Sequence, residues 1–411
     1  MKIINTSWQI ILCAGILLSS SNRLVATELT EKQLLVNIVN EAVDLHPLVQ
    51  AAKEKLNKAS ADAKAKGQAL YNPEIALDYE SNVENTTMIG LSQTIDWSDK
   101  RQTFTQIGQH NKSAAVEEYD LIRQQIIAEF LSKINQFQSS KQASELNFQQ
   151  SSTLKQFVSI AKQRFKVGDI NQLELDLALM VAGEISMNSA RIQSKFYSAE
   201  TELRAFLNFN NTEIPKISTQ GINLDWIPLE QVLEKHPLLK QLRLESQIAR
   251  TEIILAKKKS SIDPTVSINA GKEGDENIYS LGFSMPLFVR NNYSAEIDSA
   301  VAQAAIVDQN YRNHYRNVMV AAKISRKTLE LTFKAYKDWI NQIQQGLEQR
   351  SELLQKSWNS GDLSTTEYLV QIQQTLQTRI AAVELKTDLV DAWINNLLSS
   401  GRLEDWLAQK N

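Results

Sequence analysis

Arg164-Phe165-Lys166-Val167-Gly168-Asp169-Ile170-Asn171-Gln172-Leu173-Glu174-Leu175-Asp176 is the stretch from which the fold can be read. The 59 residues before its glycine, Gln109 to Val167, contain neither Gly nor Pro, and no Pro follows until Pro215. Apolar residues recur at helical period on both sides; Ile122, Ile126, Phe130, Ile134 and Phe137 are spaced by four and three. Gly168 suits the left-handed residue that ends a helix, and Asp169 or Asn171 can cap the start of the next. The pattern predicts the tip of a very long antiparallel helical hairpin.

The event recurs at Ser357-Trp358-Asn359-Ser360-Gly361-Asp362-Leu363-Ser364-Thr365-Thr366-Glu367-Tyr368. Gly168, Asp169 and Glu174 map to Gly361, Asp362 and Glu367 at one offset of 193. Upstream, His46-Pro47-Leu48 matches His236-Pro237-Leu238, and Asn72-Pro73 matches Asp263-Pro264. Gly90-Leu91-Ser92 matches Gly282-Phe283-Ser284. Leu287 to Gln345 is again 59 residues without Gly or Pro. Four landmarks in order, with offsets of 190 to 193, indicate a tandem duplication. The repeats are expected at 27–209 and 229–400, joined by an irregular linker at 210–228 and followed by a tail at 401–411.

Between the His-Pro breaks and the long helices the period changes from 3.6 to 2. Ile75, Leu77, Tyr79 and Val83 alternate with polar residues, as do Ile89, Leu91, Ile95 and Trp97. In the second copy Tyr279, Leu281, Phe283, Met285 and Leu287 alternate in the same way. Two β-hairpins are expected, at about 74–97 and 265–287, each with one apolar face. A soluble sandwich produces the same alternation, but these hairpins stand between long helices with no other strands to pack on. Leu91, Ile95, Leu281 and Phe283 are the candidate lipid-facing positions.

Residues 1–26 read as a secretory leader: Lys2, an apolar core from Ile10 to Leu18, and Leu24-Val25-Ala26 as a cleavage site. That core is too short for a membrane anchor. The single cysteine, Cys13, lies within it, and Leu12 fits a lipoprotein signal poorly. The mature chain then has no disulfide and no thiol nucleophile. A net charge of −3 gives no bulk attraction to nucleic acid. No later segment reaches the apolar length of a membrane helix, which leaves only a β-barrel as a spanning structure.

A straight 59-residue helix is about 90 Å long. Each protomer should therefore carry four strands at one end and two helical tips at the other. Four strands cannot close a barrel, and open edges are not tolerated in lipid, so copies must complete one another, with two giving eight strands and three giving twelve.

The tandem units, the His-Pro helix starts, the Asn72-Pro73 strand entry, Gly90-Leu91-Ser92-Gln93-Thr94-Ile95-Asp96 and Arg164-Phe165-Lys166-Val167-Gly168-Asp169 together resemble the TolC family of outer-membrane efflux proteins. The resemblance spans about residues 30 to 400. It implies a mainly α fold with a small β part: a homotrimer with a twelve-stranded outer-membrane β-barrel continued by a periplasmic α-barrel. Such proteins are exit ducts working with a periplasmic adaptor and an inner-membrane transporter, here of the RND type. The short hairpins and compact length are most similar to the heavy-metal branch typified by CzcC and CusC. A multidrug or type I secretion duct is the alternative within the family, and an exported coiled-coil scaffold the alternative outside it.

Tip-to-tip docking in the family implies that Arg164, Gly168, Asp169, Ile170, Gly361, Asp362, Leu363 and Ser364 face the adaptor. The family carries an aspartate lining the closed entrance at the position of Glu367. The resemblance thus makes Glu367, with Glu174, a pore-entrance acid whose pKa a three-fold ring should raise. The family's second acidic position falls on Val370, which predicts a single ring. His46, His110, His236 and His314 are scattered without ligand spacing, and no nucleotide or nucleophile motif occurs. No catalysis, cofactor or bound metal is expected.

Overall fold

The computed structural model describes residues 19–81, 83–207, 214–222, 224 and 226–408. Most of the expected leader, residues 1–18, and part of the linker lie outside the described residues.

The element order runs through the same series twice. Helices α1 (Ser19–Leu45) and α2 (Pro47–Lys66) lead to strands β1 (Glu74–Ser81) and β2 (Asn85–Thr94), then to the long helices α3 (Lys100–Lys166) and α4 (Gln172–Phe206). The second series is α5 (Leu229–Lys235), α6 (Pro237–Lys259), β3 (Thr265–Glu273), β4 (Glu276–Ser284), α7 (Ser294–Trp339), α8 (Gln345–Ser360) and α9 (Thr365–Ser399), followed by α10 (Leu403–Ala408). His46 and His236 fall at the equivalent breaks, each followed by a proline that opens the next helix. The chain contacts divide into two units, each drawing on both repeats. One holds Met1–His46, Arg123–Ile227 and Ala321–Asn411; the other holds Pro47–Ile122 and Pro228–Val320.

The second unit contains the sheet. Its four strands run antiparallel in the order β1-β2-β3-β4, so β1 and β4 are both edges. Register aligns Ile75, Leu91, Ile268 and Leu281 as one rung across all four strands. Leu77, Ile89, Ala270 and Tyr279 form the next rung on that face. The opposite face carries Glu74, Ser92, Ser267 and Gly282, then Ala76, Gly90, Asn269 and Ser280. Alongside, α2 approaches α3 so closely that a Cβ on Gly108 would stand 3.0 Å from Ala63 Cα, which explains a glycine inside a long helix. Lys55 bonds Glu118 at 2.7 Å, and Lys240 lies 3.5 Å from Glu117.

Both hairpins are shorter than their alternation predicts. β2 ends at Thr94, leaving Ile95 and Trp97 outside the strand. Ile95 makes one last ladder bond, its N–H to Pro264 O at 2.9 Å. The chain then turns because the Asp96 carboxylate accepts the N–H groups of Lys100 and Arg101 at 2.9 and 2.8 Å, capping α3. β4 ends at Ser284, short of Met285 and Leu287, and Pro286 has no N–H to donate to a ladder.

The other unit contains both tips. Leu154, Phe157 and Ala161 of α3 share a core with Leu175, Ala178 and Val181 of α4, Trp358 of α8 and Tyr368, Leu369 and Ile372 of α9. Arg123 ties three segments together, with Nε donating to Glu404 at 2.6 Å, Nη2 to Asn40 at 2.7 Å and Nη1 to Asp44. The arm of the second hairpin, expected to be uniform, is broken by a π turn at Ile340–Gln344 between α7 and α8. A π turn inserts one residue into the helical ladder without Gly or Pro, so composition does not signal it.

Candidate functional site

The two tips are built identically. At the first, Gly168 takes φ 80°, its N–H donates to Phe165 O at 3.0 Å, and Asp169 N–H donates to Arg164 O at 2.9 Å. At the second, Gly361 takes φ 86°, with Gly361 N–H to Trp358 O at 3.2 Å and Asp362 N–H to Ser357 O at 2.9 Å. This paired closure satisfies the last carbonyls of the incoming helix, and the left-handed residue makes glycine the natural choice. Of the two candidate caps, Asn171 is the one used: its side chain accepts Glu174 N–H at 3.0 Å. Ser364 does the same for Glu367 N–H at 3.2 Å.

Glu174 and Glu367 complete the motif. Glu174 Oε2 accepts the Asn171 N–H at 3.0 Å. Glu367 Oε2 accepts the Ser364 N–H at 3.0 Å and the Ser364 hydroxyl at 2.8 Å. Each glutamate is thus the N3 residue that completes a capping box on its own helix. In the single chain these bonds, the backbone one foremost, hold the Glu367 carboxyl below the usual range. This direction is opposite to the upward shift expected for an entrance acid, because the capping bonds favour the charged form.

The remaining tip residues divide between core and surface. Ile170 is buried in the tip core and Leu363 packs against it. Arg164 lies over the Trp358 ring at 4.8 Å and 3.6 Å from Asp169, so its charge is directed between the hairpins. Phe157, Trp358 and Tyr368 stack into one cluster, with centroids 4.6 to 5.2 Å apart. Asp362 accepts the Ser360 hydroxyl at 2.6 Å. Val167, Leu173 and Val370 stand exposed beside these turns. Val167 and Leu173 flank the first turn but are not among the residues that the resemblance places against the adaptor.

The second candidate surface is the apolar face of the sheet. Ile75, Leu91, Ile268 and Leu281 are 74, 52, 59 and 83% exposed, although they form one contiguous aliphatic rung. Phe283 extends the face in a rung with Gln93 and Val266. A water-soluble surface rarely carries such a patch without a partner. Leu91, Leu281 and Phe283 lie on this face within strands; Ile95 lies just beyond β2.

At the foot of the sheet lies a network that no motif announced. Lys100 Nζ donates to Asp263 Oδ2 at 2.7 Å and to Ser261 O at 3.1 Å, and both side chains are buried. Tyr71 donates to the same carboxylate oxygen at 2.6 Å. That bond, followed by burial, pushes the phenol up to about 12, so it remains a donor. Such a pair is retained only where hydrogen bonds offset desolvation. Among the described residues, no group of three or more His, Cys, Asp or Glu side chains is placed to hold a metal ion. No described helix is long and apolar enough to cross a membrane, which does not bear on a barrel.

Comparison with known proteins bears on these features together. Residues 38–208, most of the first repeat, match the sequence model of the outer membrane efflux protein family. No curated protein sequence matches the chain. Among solved structures, CusC, described for conformational changes accompanying folding and transmembrane channel formation, is similar with TM-score 0.73 at 16% identity, over 89% of this chain and 92% of CusC. The CmeC outer membrane channel of Campylobacter jejuni gives TM-score 0.73 at 14% identity, over 90% of this chain and 85% of CmeC. The open-state MtrE outer membrane channel of Neisseria gonorrhoeae gives 0.71 at 13%, over 90% of this chain and 89% of MtrE. The fold of this chain, mainly α with a small antiparallel sheet, is the fold of these outer membrane channels. The similar scores do not distinguish CusC from the others.

Proposed function

We propose that the chain is an outer membrane efflux protein, a passive exit duct carrying out no chemistry of its own. The observation that carries the reading is the four-stranded sheet with one exposed aliphatic face and two open edges. Backbone groups left unpaired in lipid cost several kcal/mol each, so β4 of one copy pairs with β1 of the next until the sheet closes. Three copies give twelve strands. The aliphatic rungs then face outer-membrane lipid, and the polar face lines the lumen.

The exported chain, its leader 1–26 removed, lies in the outer membrane and extends its helices into the periplasm. The tips, with their rigid double cap and exposed Val167 and Leu173, receive a periplasmic adaptor. An inner-membrane transporter of the RND type supplies the energy. Glu367, supported by Glu174, lines the entrance where the tips of three copies converge. The cargo is metal cations or small toxic compounds; the short hairpins favour the heavy-metal branch.

The test is electrophoresis of detergent-extracted protein with and without heating, followed by planar-bilayer recording. A heat-labile trimer that conducts is expected. A protein that is monomeric under all detergent conditions and leaves bilayers sealed would overturn the duct.

A further inference from the structure

At the foot of the sheet, on its polar side, is a cavity of about 600 Å³. Its side follows from Thr94 and Thr265, which line it; they pair with Ser284 in the next polar rung after Ser92, Ser267 and Gly282. The volume falls in the range that holds a drug-sized molecule. Four rings, Tyr71, Phe104, Phe288 and Tyr293, supply apolar wall. One of these is held at a cost, because Tyr293 takes φ 59°, a left-handed backbone that tyrosine rarely adopts. Asn291 Oδ1 secures it by accepting the Tyr293 N–H at 2.9 Å, and Phe288 meets its ring edge-on at 5.2 Å. Strain maintained by specific contacts is characteristic of ligand-binding positions.

The charges at the cavity sort by accessibility. Lys100 and Asp263 neutralise one another and are 7 and 8% exposed, and Asp263 Oδ1 is buried beyond the reach of solvent. Lys259, in the last turn of α6, also lines the cavity, is exposed, and has no carboxylate within ion-pair distance among the described residues. The charge a solute meets is therefore positive and sits at the edge of an aromatic wall.

We propose that this cavity is a resting site for amphipathic organic anions passing through the duct, with the apolar body against the four rings and the acid group on Lys259. This deepens the duct reading and rests on it, since it takes the polar face as the lumen and the small-compound cargo in place of the metal cations. The site is open and presents one accessible charge, which suits a conduit: a solute must enter easily and also leave.

The test uses naphthalene-2-sulfonate and 2-naphthylmethylammonium, which share a ring system and differ in charge. Binding to the full-length protein in nanodiscs is followed by saturation-transfer NMR, and current block is recorded in planar bilayers. The sulfonate should bind and give brief, concentration-dependent blocks, and the ammonium should do neither. Lys259→Gln should weaken sulfonate binding roughly fivefold, the worth of one exposed charge pair. Tyr293→Gly removes a ring while relieving the left-handed strain, so the variant should fold and also bind more weakly. Equal binding of the two ions, no binding, or binding unchanged in both variants would overturn the site. Bilayers that never conduct would fail the duct reading, and the nanodisc measurement would still decide whether the cavity binds.

Discussion

Leu281→Arg places a guanidinium at the sixth residue of the nine-residue strand β4, on the aliphatic rung shared with Ile75, Leu91 and Ile268. If this face meets lipid, arginine near the bilayer midplane costs about 2–4 kcal/mol per chain. Three copies raise the total to roughly 6–12 kcal/mol per trimer, enough to abolish assembly of a complex of ordinary stability. The neighbouring residue provides the control. Ser280 lies on the opposite face, where its hydroxyl accepts from Asn269 Nδ2 at 3.0 Å. Ser280→Arg gives up that bond, at about 1 kcal/mol, and otherwise places a charge in water. The assay is urea-dependent folding into phospholipid vesicles, read as the heat-labile trimer on unheated gels. Leu281→Arg should lose the trimer and Ser280→Arg should keep it. Equal yields from the two variants would mean that both faces meet water and that the sheet closes no barrel in lipid.

Two further outcomes are expected. Glu367→Gln keeps the shape of the capping box and removes its charge, so cation preference and block by divalent cations from the tip side should both fall in bilayers; unchanged selectivity would leave Glu367 a helix cap alone. Because its own cap lowers the Glu367 pKa, the cap's contribution is complete above the unfolded carboxylate range, near 4.3, and is lost as pH falls through the folded value. His236 works in the other direction of charge: burial pushes its imidazole down to about 4, and its Nδ1 has no hydrogen-bond partner. The neutral ring is tolerated above pH 6.5, and stability should drain away between about 6.5 and 4, as protons bind the unfolded chain first. His236→Phe should flatten that acid dependence in thermal unfolding scans; an unaltered profile would assign the acid sensitivity elsewhere.

The duplication, the two tips, the helix-strand-helix order and the alternating faces were legible in the residues because they rest on local rules. Helical and strand periods are set by backbone geometry, and Gly168 and Gly361 mark the left-handed turns. The capping boxes were also within reach: Asn171 with Glu174, and Ser364 with Glu367, have the required spacing of three. Side-chain bookkeeping over longer separations was not. Lys100 and Asp263 are 163 residues apart, and Tyr71 and Asp263 are 192 apart, so only the folded chain reveals one network around a buried carboxylate. Arg164 reads as a free charge at a tip until Trp358 of the other hairpin comes beneath it. The strand ends were set by competition: Asp96 capping α3 and Pro286 lacking an N–H cut short an alternation that continues in the sequence. Period and turn chemistry are properties of a few neighbouring residues and survive in the sequence alone. Burial, pairing and the placement of one hairpin on another arise when distant segments exclude water together, and only the tertiary structure decides them.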